Sequence, residues 1–399
     1  MGFLRAGQAA LALLVLAGSG GAAPEAVRVK DDASLHAALR AAGPGTVIRI
    51  APGRYGPGVS AARIRGTKER PVVLEGADPA DPPVFEGGNV AIQLSACEHL
   101  KLANLVVRGQ RGNGVNIDDG GDPATPSRHI ELAGIRVLDI GPRGNCDGIK
   151  LSGADDFVVR DCRIEGWGGQ GIDMVGCHRG LIEDCVLRGK AGFTASAGVQ
   201  AKGGSRDIIV RRCRFEDAGS RAVNLGGSTG LDYFRPRDAK YEAKDITVEG
   251  SVFTGSQAPI AFVGVDGAIV RFNTILRPGK WILRILTETT EPGFAPCRNG
   301  RFERNLVVFR RAEVAVVVNV GPRTAPETFV FTENYWYCED RPAESRPELP
   351  VSETGGVFGL DPRLSPPGDG PVRVLQPKAG GYGATALPAP AGDRRPSGR

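Results

Sequence analysis

Val159-Arg160-Asp161-Cys162-Arg163-Ile164, Ile182-Glu183-Asp184-Cys185-Val186-Leu187 and Val210-Arg211-Arg212-Cys213-Arg214-Phe215 are three copies of one frame. Each has an apolar residue, a ladder residue three positions on, and a second apolar residue two beyond that. A turn and a short second segment follow each copy: Gly171-Ile172-Asp173-Met174, Gly198-Val199-Gln200-Ala201 and Ala222-Val223-Asn224-Leu225. The pattern predicts a coil with two strands per turn.

The frame runs well beyond these copies. Its ladder residues are Leu105, Ile135, Cys162, Cys185, Cys213, Ser251, Asn273, Asn305 and Asn334, spaced by 22 to 38 residues. A repeat of this length marks a solenoid whose units bury their apolar faces only against their neighbours. Strand alternation and abundant β-branched residues, without helical periodicity between repeats, select an all-β, single-domain parallel β-helix. A solenoid grows by adding coils, so 399 residues force no domain boundary. Gly at 57 residues and aromatics at 6% suit a chain that turns at every corner.

Outside the repeats, Arg5 to Ala23 reads as a secretory signal with an apolar core from Ala9 to Ala17, too short to span a bilayer. The expected location is secreted or periplasmic, with no membrane span. Asp32-Ala33-Ser34 precedes Leu35, Leu39 and Ala42 at helical spacing, and Gly43-Pro44-Gly45 ends the run, so a short N-terminal capping helix is expected. The expected division is a signal peptide at 1–23, cap and first coils at 24–90, β-helix coils at 91–345 with insertions at 226–245 and 277–300, and a C-terminal cap with a Pro/Gly-rich tail at 346–399. The three ladder cysteines are expected as stacked buried thiols. Cys97, Cys146, Cys177, Cys297 and Cys338 fall near turns, where bridging is open. The net charge of +5 permits an acidic partner. No basic cluster reads as a nucleic-acid footprint, and His36, His99, His129 and His178 share no zinc-ligand spacing. The chain is expected to be a monomer.

Because side chains alternate along a strand, the residue between the two inward positions of each second segment faces out. That slot reads Asn116, Lys150, Asp173, Gln200, Asn224, Ala261 and Arg284; two residues further along come Asp118, Ser152, Val175, Lys202, Gly226 and Val263. Asp118, Lys150, Asp173, Gln200, Lys202 and Asn224 thus concentrate on one outer face, the expected site. Lys150 beside Asp173 also fits a plain surface ion pair. Lys202 precedes Gly203-Gly204-Ser205, where bare glycines leave room for a ligand to approach. The insertions add Tyr233 and Arg235, then Lys280, Trp281 and Arg284, rings and cations suited to a sugar acid.

The opening Leu35-x-x-Ala38-Leu39-x-x-Ala42-x-Pro44-Gly45, with Ile48-x-Ile50-x-Pro52-Gly53-x-Tyr55 and Gly66-Thr67-x-x-x-Arg70-Pro71-Val72-Val73-Leu74, resembles the start of right-handed parallel β-helix proteins related to chondroitinase B and the alginate lyases. The resemblance implies a right-handed coil and β-elimination on a uronate-containing polysaccharide. It implies Lys202 as the base, and Arg221, one coil on but out of register, as the catalytic arginine. Those lyases carry acidic calcium ligands just before the lysine. Here Ala195, Ser196 and Ala197 stand there, so calcium is implied by family but unmatched, and no cofactor is expected.

Elimination needs a base for the proton α to the carboxylate and a cation for the developing enolate. Lys202 fills the first role; Lys150, Arg221 or Arg284 supplies the field and the clamp. Asp118, Asp173, Gln200, Asn224, Tyr233, Arg235 and Arg284 are expected to contact substrate. Two other readings remain open. One is a glycan-binding β-helix without catalysis. The other is a polygalacturonase-like hydrolase, for which Asn145-Cys146-Asp147-Gly148 offers a faint motif and Asp118 with Asp173 a carboxylate pair about two strand spacings apart.

Overall fold

The computed structural model describes residues 26–365 and 376–386; the signal segment and the end of the tail lie outside them. The chain is an all-β parallel solenoid built from three long sheets. The first has 12 strands, from Val27–Val29 to Val330–Thr332. The second has 12, from Arg54–Tyr55 to Val357–Phe358, and the third has 10, from Val59–Ala62 to Val318–Val320. One coil is Ala154–Arg160, Arg163–Trp167 and Gln170–Val175, one strand in each sheet. Every pairing between successive coils is parallel, as between Ala154–Arg160 and His178–Glu183.

The coil therefore has three strands, not two. The repeated frame straddles a corner that its apolar spacing hides. Asp161, between Val159 and Cys162, has φ of 53°, and Asn104, Asp184, Arg212, Phe272, Arg304 and Glu333 take the same left-handed conformation in their own coils. Asn and Asp tolerate this region because a short polar side chain can bond locally. The bend ends the first strand, and the next residue, the ladder residue, points inward before the second strand begins.

All nine ladder residues are buried. Cys162, Cys185 and Cys213 stack there as thiols, and all eight cysteines are free. Toward the C-terminal end the ladder becomes polar and bonds along its length. Asn273 Nδ2 donates to Asn305 Oδ1 at 3.0 Å, and Asn305 Nδ2 donates to Asn334 Oδ1 at 3.0 Å. Asn334 Nδ2 in turn donates to Glu353 Oε1 at 2.8 Å, which ends the run. Inside, Leu132, Val159, Ile182, Val210, Val248, Val270 and Phe302 align in one inward column of the first sheet, and burial of such columns supplies the main driving force.

The capping helix spans Asp32–Ala41. Its N-cap is Asp31, whose side chain accepts from Ser34 N, with the Ser34 side chain reaching back in a capping box. Leu35, Ala38 and Leu39 are buried against the first coils. Among the described residues, no helix is long and apolar enough to cross a membrane.

Candidate functional site

The third sheet places the polar column. Residues Gln93, Asn116, Lys150, Asp173, Gln200, Asn224, Ala261, Arg284 and Asn319 pair in unbroken register across successive strands. Two positions along, Asp118 pairs with Ser152, Ser152 with Val175, and Val175 with Lys202. Their strand neighbours Ile172, Met174, Val199 and Ala201 fill the interior, so the polar residues face outward.

Outward is not exposed. Asp173 is 0% accessible, Gln200 6% and Asn224 4%. Asp173 lies under two lysines: Lys150 Nζ is 2.6 Å from Asp173 Oδ2 and Lys202 Nζ is 3.3 Å from Oδ1. The second contact is an ion pair without hydrogen-bond geometry, which leaves Oδ1 without a hydrogen-bond donor. Lys150 Nζ also lies 3.0 Å from Asp147 Oδ2. Asp147 is buried too, and its Oδ1 accepts from Gln170 N at 2.8 Å. Burial, and then the charge of Asp173, push the Asp147 carboxyl up. Burial works against the charge on Lys150, but Asp173 and Asp147 outweigh it and hold the amine above the ordinary lysine range. Lys150 is thus a fixed cation, and the expected plain surface pair is a half-sunken network of two lysines over two carboxylates.

This network forms the floor of a cleft of about 700 Å³, lined by Asn116, Asp118, Lys150, Lys202, Tyr233 and Arg237 among others. Asp118 accepts from Gln93 and Asn116, at 2.8 and 3.0 Å. It stands one column away from Asp173, which is tied to both lysines, so the two carboxylates do not face each other as a pair.

The wall is the 227–242 loop, held by two anchors that sequence patterns do not carry. Glu242, 1% accessible, accepts from Gly203 N and Thr229 N, both at 2.9 Å, and from the hydroxyls of Thr229 and Thr289. Arg235 reaches across the cleft edge. Its Nη1 and Nη2 donate to Asp155 at 2.7 and 2.9 Å, Nη1 also to Gly176 O at 3.0 Å, and Nε to Pro123 O at 3.2 Å. His178 completes the lock: burial and the Arg235 charge depress its basicity, and the neutral ring sits 3.2 Å from Arg235 O through Nε2 and 3.3 Å from Arg235 Nη1 through Nδ1.

Two expectations change here. Four of the five Arg235 N–H groups are taken by the protein's own acceptors, so the side chain braces the loop. The glycines after Lys202 are filled as well: a Cβ on Gly204 would lie 2.4 Å from Arg235 O, and Gly203 O accepts from Arg235 N at 3.0 Å. The room they leave is taken by the loop. Tyr233, in contrast, is 71% exposed at the cleft mouth.

Arg221 and Arg284 fall outside this cleft. Arg221 pairs with Ala197, five residues before Lys202 on the strand, roughly 16 Å away by strand rise. Its Nη1 donates to Asn224 Oδ1 at 3.3 Å and its Nη2 to Glu288 at 2.6 Å. Arg284 donates from Nε to Asn319 Oδ1 at 3.0 Å and lies over the Trp281 ring, 4.4 Å from its centroid. The second insertion thus contains a strand of the third sheet, Leu283–Leu286, with Arg284 in the outward slot read for it. Among the described residues, no group of three or more His, Cys, Asp or Glu side chains could hold a metal ion. Ala195, Ser196 and Ala197 offer no carboxylate, so the residues present do not fit calcium at the family position.

The family model for a right-handed β-helix region matches residues 147–232, the segment that carries Lys150, Asp173 and Lys202. The chain is a right-handed parallel β-helix resembling polysaccharide lyases. It is similar to an alginate lyase from Paenibacillus sp. str. FPU-7, at 17% identity and a TM-score of 0.50, over 84% of this chain and 98% of that one. It is similar to the PL6-family alginate lyase AlyGC, at 13% identity and a TM-score of 0.54, over 90% of this chain but only 56% of that one. A rhamnogalacturonan lyase matches at 14% identity and a TM-score of 0.52, over 73% of this chain and 80% of that one. At these identities the likeness is one of fold. Among curated proteins, none matches the chain in sequence.

Proposed function

We propose that this β-helix is an exported polysaccharide lyase that cleaves a uronate-containing polysaccharide by β-elimination. The observation that carries the reading is the shared carboxylate of Asp173: Lys150, fixed as a cation, and Lys202, touching only the other oxygen, open side by side into one cleft. In this scheme the Lys202 amine takes the proton α to the uronate carboxylate. The Lys150 charge holds that carboxylate as enolate character develops. The electron pair from the broken C–H bond forms the ring double bond and expels the glycosidic oxygen, which takes up a proton and becomes a new reducing end. Asn116 and Asp118 on the floor and Tyr233 at the mouth contact the sugar. The likeness in fold to alginate and rhamnogalacturonan lyases supports the same reaction class.

The exposed Tyr233 ring equally suits a glycan platform without turnover, and one experiment separates the readings. The protein is incubated with alginate, chondroitin and polygalacturonate while ultraviolet absorbance of unsaturated uronate and new reducing ends are followed. Elimination predicts both signals, with the absorbance lost in Lys202→Ala. Reducing ends without absorbance would indicate hydrolysis, and retention on a glycan column with neither signal would indicate binding alone.

A further inference from the structure

About three strand spacings beyond Lys202 along the coil axis, roughly 14 Å, the third sheet carries a second cationic station. Arg284 lies there beside Lys280 and Trp281, and Arg221 joins it from the strand next to that of Lys202. The Arg284 guanidinium lies 4.4 Å from the Trp281 ring centroid and the Lys280 amine 4.3 Å from it. Arg221 is held by Glu288, at 2.6 Å, and by Asn224. These residues bring three cations against one carboxylate, an excess of two positive charges on a single patch. Among the described residues Arg284 has no ion-pair partner; its Nε is satisfied by Asn319. Burial and then the charge of Arg221 hold the Arg284 guanidinium below its usual range, against the opposing charge of Glu288. Between this station and the lysines the register holds Gln200, Asn224 and Ala261, all buried. The start of the 227–242 loop lies over this column, where Gln200 Nε2 donates to Gly226 O at 3.0 Å and abuts Gly227, so a chain laid along the axis crosses the loop there.

We infer that Arg284 and Trp281 form a second anion-binding subsite, separate from the Lys150–Lys202 cleft, and that one acidic glycan running along the coil axis occupies both at once. Such a span exceeds a disaccharide and lies within reach of a longer oligomer. The planar Arg284 fork, backed by the Trp281 ring on which it stacks, suits a carboxylate or sulfate. The inference rests on reading the cleft as the uronate site. It adds a dependence on chain length that the cleft alone does not impose.

Calorimetric titration of the full chain with a uronate dimer and hexamer from alginate, and with a chondroitin sulfate hexasaccharide, tests it. Wild type binds a hexamer more tightly than the dimer. Arg284→Gln loses about tenfold in hexamer affinity, the loss expected for one charge-assisted contact, while its dimer affinity is unchanged. Arg284→Lys, which keeps the charge without the fork, recovers part of the loss and guards against a misfolded Gln variant. Whichever hexamer carries the Arg284 dependence identifies the anion as carboxylate or sulfate. Equal losses for dimer and hexamer, no loss for either hexamer, or wild type that binds neither length would overturn the subsite. Length-dependent binding without unsaturated product would overturn elimination and leave the subsite standing.

Discussion

Lys150 Nζ bonds Asp173 Oδ2 at 2.6 Å while Asp173 itself is 0% accessible, so an amine at the cleft floor neutralises a carboxylate that has no route to water. Asp147 shares the same amine at 3.0 Å. Lys150 is then as much a structural ion as a candidate clamp, because without it buried Asp147 loses its cation and Asp173 keeps only Lys202. Lys150→Met should lower stability by about 3–5 kcal/mol at neutral pH, the cost of leaving buried charge uncompensated.

The pH dependence of that deficit follows from Asp147, whose carboxyl is raised by burial and by Asp173. A carboxyl with a folded pKa above its unfolded value contributes stability that is complete below the unfolded pKa and is lost as pH rises through the folded one. In Lys150→Met the lysine no longer opposes this rise, so the deficit should be large at pH 7 and shrink as pH falls toward the ordinary aspartate range. Urea unfolding of both proteins at several pH values reads this directly. A deficit constant with pH would rule out a buried carboxylate as its source.

Arg235→Ala should release the cleft wall. Burial tends to raise Asp155, but the Arg235 bonds and charge, with the charge of Arg179, hold its carboxyl below the usual range. A depressed carboxyl stabilises the fold above its unfolded pKa and loses that contribution as pH falls through the folded pKa. The variant should therefore lose about 2–4 kcal/mol at neutral pH, with the gap to wild type narrowing in acid. Limited proteolysis should cut the 227–242 loop first. A loop as resistant as in wild type would show that Glu242 alone holds it.

Much of the site was readable because period-two alternation is rigid. Once Val199 and Ala201 are assigned inward, Gln200 must face out, and coil-to-coil register follows from the repeated frame. The depth of the site was not readable in this way. Gln200 and Asp173 are buried by a loop and by lysines from neighbouring coils, and the loop is placed by Arg235 meeting Asp155 across 80 residues of sequence. No local pattern encodes that pairing. Glu242, too, looks like any loop glutamate until its two backbone donors, Gly203 and Thr229, are seen. The third strand per coil was hidden for a local reason: Asp161 bends the backbone without disturbing the apolar spacing around it.

The asparagine ladder should stabilise its end of the coil more than the cysteine ladder stabilises the middle. Asn305 Oδ1 accepts from Asn273 N and Nδ2 at 2.9 and 3.0 Å, and its Nδ2 donates to Val270 O and Asn334 Oδ1 at 2.9 and 3.0 Å. Asn305→Ala strands several buried polar groups, each costing about 1–3 kcal/mol. Cys185→Ala removes one buried thiol with weak bonds and should cost about 1–2 kcal/mol. Hydrogen exchange should localise the Asn305→Ala loss to the coils from Val270 to Tyr337. Equal penalties for the two variants would deny the ladder its role.

Tyr233 offers the cleanest separation of binding from folding. Its ring is 71% exposed on the short turn Leu231–Tyr233, so truncation removes almost no packing, and stability should stay within about 0.5 kcal/mol of wild type. If the ring stacks on a sugar, Tyr233→Ala should weaken oligosaccharide binding by about fivefold, or about 1 kcal/mol. Tyr233→Phe keeps the ring face and should bind like wild type. In turnover the loss should appear in KM with kcat nearly unchanged, because stacking far from the reacting carbon serves ground state and transition state alike. A Tyr233→Ala protein with unaltered affinity would take the loop tip out of the substrate path and leave the lysine floor to bind alone.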